Sequence, residues 1–487
     1  MTTDIILSLD TKFFDQLLAI KNSPEGRLAV FGLGVENWQF INWAIGVVGI
    51  RASQLILIDQ REPLVVPKQY ADLLDIDQVS FVGGADYLQW FLTQKADLVV
   101  KAPGIWSLKN ELEYYRSQYG EASIISSLTF FVERFREIIV GVTGTKGKTT
   151  TCSLVAHFLG DPSLGKQIEY CGNTTNISPY QFWTDLNNTL NNYIFVLELS
   201  SFQLQDLGYA KLSPKYAGIT NYYIDHLDQH NSVEEYHSAK SNIFEWQNSG
   251  DVIVVPLEIR DIVKDRVGLE VDMVSPFEDG RFNFVTGLKG QHNQTNINTA
   301  AILAGRVFRD NNLQWPLSVE YIQAKLETFE APKGRLELVK SLDIKGVKFN
   351  FFNDNTATEP DAVCACVEAL TQSPDKLMLI LAGKVKQGNY SKLIETLESK
   401  KSSILQIDYC GQVGAKIQAM QSLQTTDQSL KTCLSTNWNY LQLIQDYHLQ
   451  PGQNVNISLS PGGSSFDEFV NYIERGNFYL EWVANQK

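Results

Sequence analysis

Thr143-Gly144-Thr145-Lys146-Gly147-Lys148-Thr149-Thr150 carries the densest chemistry in the chain. Glycines let backbone N–H groups approach an anion, and a helix starting behind them adds its positive dipole end. Lys148 then places a point charge on the β- and γ-phosphates of a nucleotide, and the Thr149 hydroxyl offers a ligand for Mg²⁺. Val142 stands where the full phosphate-loop pattern wants its first glycine, so this is the shortened form GxxGKT. The stretch predicts a site for ATP or GTP. Glu198 follows an apolar run, Tyr193–Leu197, and a carboxylate at such a strand end is where a Mg²⁺-coordinating group belongs.

Lys240 shares a helix face with Tyr236, Ile243 and Phe244. A lysine there either snorkels to water or sits desolvated with a lowered pKa, and the residues alone favour snorkelling. His226 and His230 are four apart, but no third ligand or HExxH glutamate accompanies them, and zinc is set aside. Asn293 and Asn296 open an Ala/Leu-rich helix and present two amides, either to a purine or ribose or as helix caps.

The elements that must position these groups are legible from periodicity. Ile138–Val142 reads as a buried strand, and the helix after the loop runs through Leu154, Val155, Phe158 and Leu159 to Gly160. Upstream, RLAVFGLG and Leu55–Ile58 ending at Asp59 resemble the opening of a dinucleotide-binding unit, although Asn37 replaces the third glycine. Ser232-Val-Glu-Glu235 reads as a capping box for the helix of Lys240. Ala331-Pro332-Lys333-Gly334 reads as a linker. Beyond it, strands Lys348–Phe352, Leu377–Leu381 and Val455–Leu459 each end in small or polar clusters, which places one ligand-binding edge at their carboxyl ends.

At 487 residues the chain has room for about three domains. A net charge of −14 argues against a nucleic-acid or anionic-membrane partner. The six cysteines lack any CxxC pair and read as free buried thiols of a reducing compartment. No apolar run reaches the ~18 residues of a membrane span, and the N-terminus is mixed and acidic, so a cytoplasmic monomer is expected.

TGTKGKTTT, the Glu198 strand, TNYYIDHLD with YHSAKSNIF, and GQHNQTN occur in an order that resembles the Mur ligase family, the ATP-dependent amino-acid ligases of peptidoglycan precursor synthesis. LELSSFQL, FFNDNTAT and SPGGSSFDEFVNYIERG are most similar to its D-glutamate-adding members. The resemblance implies an α/β chain of three domains: a Rossmann-like UDP-binding domain (1–110), a central P-loop ATPase-type domain (111–331) and a Rossmann-like glutamate-binding domain (332–487). It implies ligation of D-glutamate to UDP-N-acetylmuramoyl-L-alanine with ATP and Mg²⁺. L-Glutamate addition, folate-polyglutamate-type ligation and a non-catalytic nucleotide-binding protein are the alternatives.

By the same resemblance Gly34, Asp59, Arg61, Asn173 and Ser200 meet the UDP substrate. Gly144, Thr145, Lys146, Gly147, Lys148, Thr149, Thr150, Asn293, Asn296, Arg335 and Asp354 meet ATP. Thr149, Glu198, His226 and Lys240 serve metal, with Lys240 carried as a carbamate, which replaces the snorkelling reading. Thr358, Lys386, Ser465, Phe466 and Tyr472 meet glutamate. Asn355-Thr356 stands where some members have Ser-Lys, and Gly462-Gly463 where Ala-Cys is commoner. Because acyl phosphates hydrolyse, the last domain is expected to close over the central one, hinging near Pro332-Lys333.

Overall fold

A computed structural model describes residues 11–487 apart from 73, 173–176, 223–229, 231, 264–267, 275–287, 289–291, 315–317, 387–389, 424–427 and 436–437. Three sheets organise the chain. The first holds five parallel strands in the order Ser80–Val82, Leu55–Ile58, Leu28–Phe31, Leu98–Lys101 and Ile124–Ser126. The second holds six, in the order Glu270–Val274, Val252–Pro256, Tyr216–Ile219, Ile139–Thr143, Tyr193–Glu198 and Gln167–Cys171, also all parallel. Its central strands are buried Val/Ile/Leu runs, as a sheet covered on both faces requires. The third runs Glu337–Ile344, Val347–Asn353, Asn454–Leu459, Lys376–Leu381, Ile404–Tyr409, and only its first pair is antiparallel.

The chain divides into two compact units, the second beginning at Gln323 apart from a short segment that joins it from upstream. The first two sheets share the first unit, and one core runs through both. Trp43 packs on Trp183 with ring centroids 4.4 Å apart, and Phe40 stacks on Phe130 at 5.4 Å. Glu133 accepts the Phe13 and Phe14 N–H groups, each at 2.9 Å, at the start of the helix Lys12–Asn22, where an anion offsets the helix dipole. Lys101 and Asp206 form an ion pair at 2.7 Å with neither side chain exposed.

The boundary expected at residue 110 falls inside the first sheet. The helix Lys109–Tyr119 carries the chain from the fourth strand back to the fifth, Ile124–Ser126. The cysteines also depart from expectation. Cys152, Cys171, Cys364 and Cys366 are free and buried, but Cys410 and Cys433 are joined, since the fold brings their Cα atoms to 6.6 Å. Among the described residues no helix is long and apolar enough to cross a membrane.

Candidate active site

The phosphate loop leaves the strand Ile139–Thr143 and enters the helix Lys148–Leu159, one residue from the expected strand bounds. Gly144 has φ +145°, and a Cβ there would lie 1.9 Å from Thr220 Oγ1, so only glycine fits. Gly147, φ +83°, leaves room for Asn296, whose Oδ1 would be 2.5 Å from an added Cβ. Asn221 holds the loop open from below: its Oδ1 accepts the Thr145 and Lys146 N–H groups at 3.1 and 2.9 Å, and its Nδ2 donates to Lys146 O at 3.0 Å.

Two lysines converge on one carbonyl. Lys148 Nζ donates to Gly144 O at 3.0 Å and Thr145 O at 3.1 Å, and Lys240 Nζ donates to Gly144 O at 3.0 Å. Lys240 is only 2% exposed and lies 4.7 Å from the centroid of the Tyr236 ring, which rules out the snorkelling reading of the sequence. Its helix, Val233–Glu245, begins with Ser232 Oγ accepting Glu235 N–H at 3.1 Å. The expected capping box is drawn on to another partner at its second arm: the Glu235 carboxylate takes Lys109 Nζ at 2.5 Å.

Glu198 ends its strand beside the loop. Its Oε2 accepts from Thr149 Oγ1 and from the Tyr170 hydroxyl, both at 2.9 Å. Sequence reading missed Tyr170; its signal is a tyrosine near the end of the neighbouring strand. A hydroxyl and a carboxylate brought together on a phosphate loop are hard oxygen donors, and they fit Mg²⁺. Among the described residues no group of three or more His, Cys, Asp or Glu side chains is arranged as a metal cage. His226 and Asn173 lie outside the described residues.

A cleft within the first unit runs from Glu198, Gly172 and Leu199 to Val35, Glu36 and Gln39, with Ser127, Tyr180 and Gln203 on its walls. Ser200, assigned to the UDP substrate, uses its hydroxyl at the start of the helix Ser201–Ala210, accepting Gln203 N–H at 3.2 Å. Glu36 takes the Ser127 hydroxyl at 2.8 Å, and burial pushes its carboxyl up despite that bond.

At the glycine turn of the first sheet Asp59 accepts from Leu33 N–H at 2.7 Å and from Arg61 N–H and Nε at 2.9 and 2.8 Å. Burial opposes its ionisation, but the bonds from Arg61 and Leu33 outweigh it and hold Asp59 at about 2. The Arg61 side chain is 72% exposed, and its Nη2 also donates to Leu33 O at 2.9 Å. The glycine this turn requires is Gly32, with φ +83° and Ile105 against it, whereas Gly34 is extended and has open space beside it. Asn37 replaces the missing third glycine by donating to Gly32 O at 2.9 Å.

In the second unit three strand-end loops are laced together. Gly462 N–H donates to Ala357 O at 2.8 Å, and Lys384 N–H to Ser464 O at 2.8 Å. Arg475, fully buried, donates to Asn355 Oδ1 at 2.8 Å and Gly463 O at 3.0 Å, and burial lowers its pKa to about 10. This places Ser465 and Thr358 on one edge, with Lys386 Nζ 3.3 Å from Thr358 Oγ1 and 2.9 Å from Glu359 Oε1. Phe466 is exposed, and Tyr472 begins the helix Tyr472–Ala484, where Asn355 Nδ2 donates to its carbonyl. Asp354 is buried under Ser460 Oγ at 2.7 Å and Leu336 N–H at 3.2 Å, and desolvation raises its pKa to about 7 against these bonds and the nearby Arg335. Asn293 and Asn296 lie, both buried, on the helix His292–Asp310, which from Thr295 onward belongs to the first unit.

Residues 142–265 match the Mur ligase middle domain. The chain is 30% identical over 424 residues to the UDP-N-acetylmuramoylalanine–D-glutamate ligase of Roseiflexus sp. (strain RS-1), covering 80% of this chain and 85% of that one. It is 26% identical to the enzyme of the same name from Caldanaerobacter subterraneus subsp. tengcongensis, covering 95% and 98%. In fold it is similar to the crystal structure of MurF from Acinetobacter baumannii, with a TM-score of 0.51 at 17% identity, covering 96% of this chain and 98% of that one. The sheets, the phosphate loop and these likenesses agree: the chain belongs to the Mur ligase family.

Proposed function

We propose that this protein joins D-glutamate to UDP-N-acetylmuramoyl-L-alanine, using ATP and Mg²⁺, as a cytoplasmic monomer. The observation that carries the reading is the convergence of Lys148, Lys240, Thr149 and Glu198 on one phosphate loop, beside a cleft that Glu198 lines, in a chain whose relatives bear the name of that ligase. In this reading the first sheet carries the UDP end of the substrate, with Asp59 orienting Arg61. The central sheet carries ATP, and the third carries glutamate.

The chemistry follows from charge. The acceptor carboxylate attacks the γ-phosphorus of ATP, ADP departs, and an acyl phosphate forms. Two anions must meet, so Lys148 draws charge from the phosphate oxygens as it develops. Lys148 reaches this position by giving up loop carbonyls for phosphate. Thr149 and Glu198 would hold Mg²⁺, which when bound would supply further positive charge for the phosphate. The glutamate amine, having lost its proton, then attacks the acyl carbon, and phosphate leaves. Lys386, Thr358 and Ser465 orient the glutamate, whose carboxylate competes with Glu359 for Lys386.

The Lys240 amine, kept from water and set against the loop, is placed to add CO₂ with loss of a proton and so carry a carbamate. The reading is tested by incubating ATP, Mg²⁺ and UDP-N-acetylmuramoyl-L-alanine with D- or L-glutamate in separate tubes. A product heavier by one glutamate residue, formed with the D-isomer alone, is expected. The same product from L-glutamate alone, or none from either, overturns it.

A further inference from the structure

We propose that Tyr170 is a positioning residue for the divalent cation, acting through Glu198; the inference rests on the ligase reading above. Tyr170 lies on the edge strand Gln167–Cys171, which pairs in parallel with Tyr193–Glu198. The register sets Tyr170 opposite Val196, so Glu198, two residues on, projects from the same face as its diagonal neighbour. A diagonal gap is within reach of a long aromatic side chain. The phenol closes it, donating to Glu198 Oε2 at 2.9 Å.

The next position on that face is Gly172, where an added Cβ would stand 2.9 Å from Glu198 Cβ. One neighbour therefore leaves room for the carboxylate and the other ties it down. The tie matters because the terminal torsion of a glutamate is broad, and a metal-binding carboxylate needs an outer donor to fix its orientation. Thr149 also donates to Oε2, but its oxygen is itself a ligand in this reading. Tyr170 supplies an orienting hydroxyl that is not itself a metal ligand in this reading. Its part is that one hydrogen bond, and it forms no covalent bond.

The test is Tyr170→Phe in the full chain, which removes one oxygen and keeps the ring. Mn²⁺ binding is read from the loss of the free-ion electron paramagnetic resonance signal, with a non-hydrolysable ATP analogue present. The variant is expected to bind Mn²⁺ about 10- to 100-fold more weakly, the usual effect of losing an outer-shell partner. Metal-free binding of the analogue and the melting temperature should match wild type, which a packing role for the hydroxyl would not predict. Mn²⁺ affinity within twofold of wild type, or tighter, overturns the inference and leaves the ligase reading intact. A wild-type chain that binds no Mn²⁺ with the analogue overturns both.

Discussion

Replacing Asp354 with asparagine should make the protein more stable and less active at neutral pH. Asp354 follows the strand Val347–Asn353, and burial there raises its carboxyl from 3.8 to about 7. The unfolded chain ionises at the ordinary value, so below about pH 4 both states are protonated and the group has no effect. As pH rises the unfolded state gains stability first, and the folded protein loses it until the pH passes about 7. Linkage then gives a destabilisation of about 1.5 kcal/mol at pH 5 and about 4 kcal/mol at pH 8. Asparagine has the same shape and no proton to lose, and the Ser460 hydroxyl can turn to accept from it. Thermal unfolding of the full chain should show the second unit of Asp354→Asn melting roughly 10 °C above wild type at pH 8, with a smaller gap at pH 5. Ligation should fall in the same variant, because a carboxylate kept at such a cost belongs to a working site. Equal melting differences at the two pH values would refute the reasoning.

Two further perturbations address the first unit. Lys240→Ala should lower ligation at least about 100-fold, with part of the loss restored by formate or acetate standing in for the carbamate; steady-state rates with and without added acid decide it. Lys101→Met strands Asp206 as a buried charge and should cost about 3–5 kcal/mol in urea unfolding, whereas Lys101→Met with Asp206→Leu should recover most of that.

The phosphate loop was legible because its chemistry is local: strand, glycines, lysine and helix follow one another, and their geometry is set by backbone rules. The strand-end loops of the third sheet were legible for the same reason. What escaped was set by register and by distant partners. Tyr170 reaches Glu198 across 28 positions through strand pairing, and Lys101 reaches Asp206 across 105. Asn221, named only as part of a motif, proved to hold the phosphate loop because Tyr216–Ile219 pairs with Ile139–Thr143. Lys240 was placed on the correct helix face, but periodicity could not tell a stem reaching water from one sealed beneath a loop. The motif names Gly32 and Gly34 alike, and only the backbone angles show that Gly32 makes the turn while Gly34 is extended.

The central claim is tested most directly by following oxygen. UDP-N-acetylmuramoyl-L-alanine labelled with ¹⁸O in its terminal carboxylate is turned over with ATP and D-glutamate, and the released phosphate is examined by mass spectrometry. Attack of that carboxylate on ATP leaves one labelled oxygen in each phosphate, and the account predicts label in step with ligated product. Unlabelled phosphate would contradict it, since water would then have taken the phosphoryl group and no acyl phosphate would have formed.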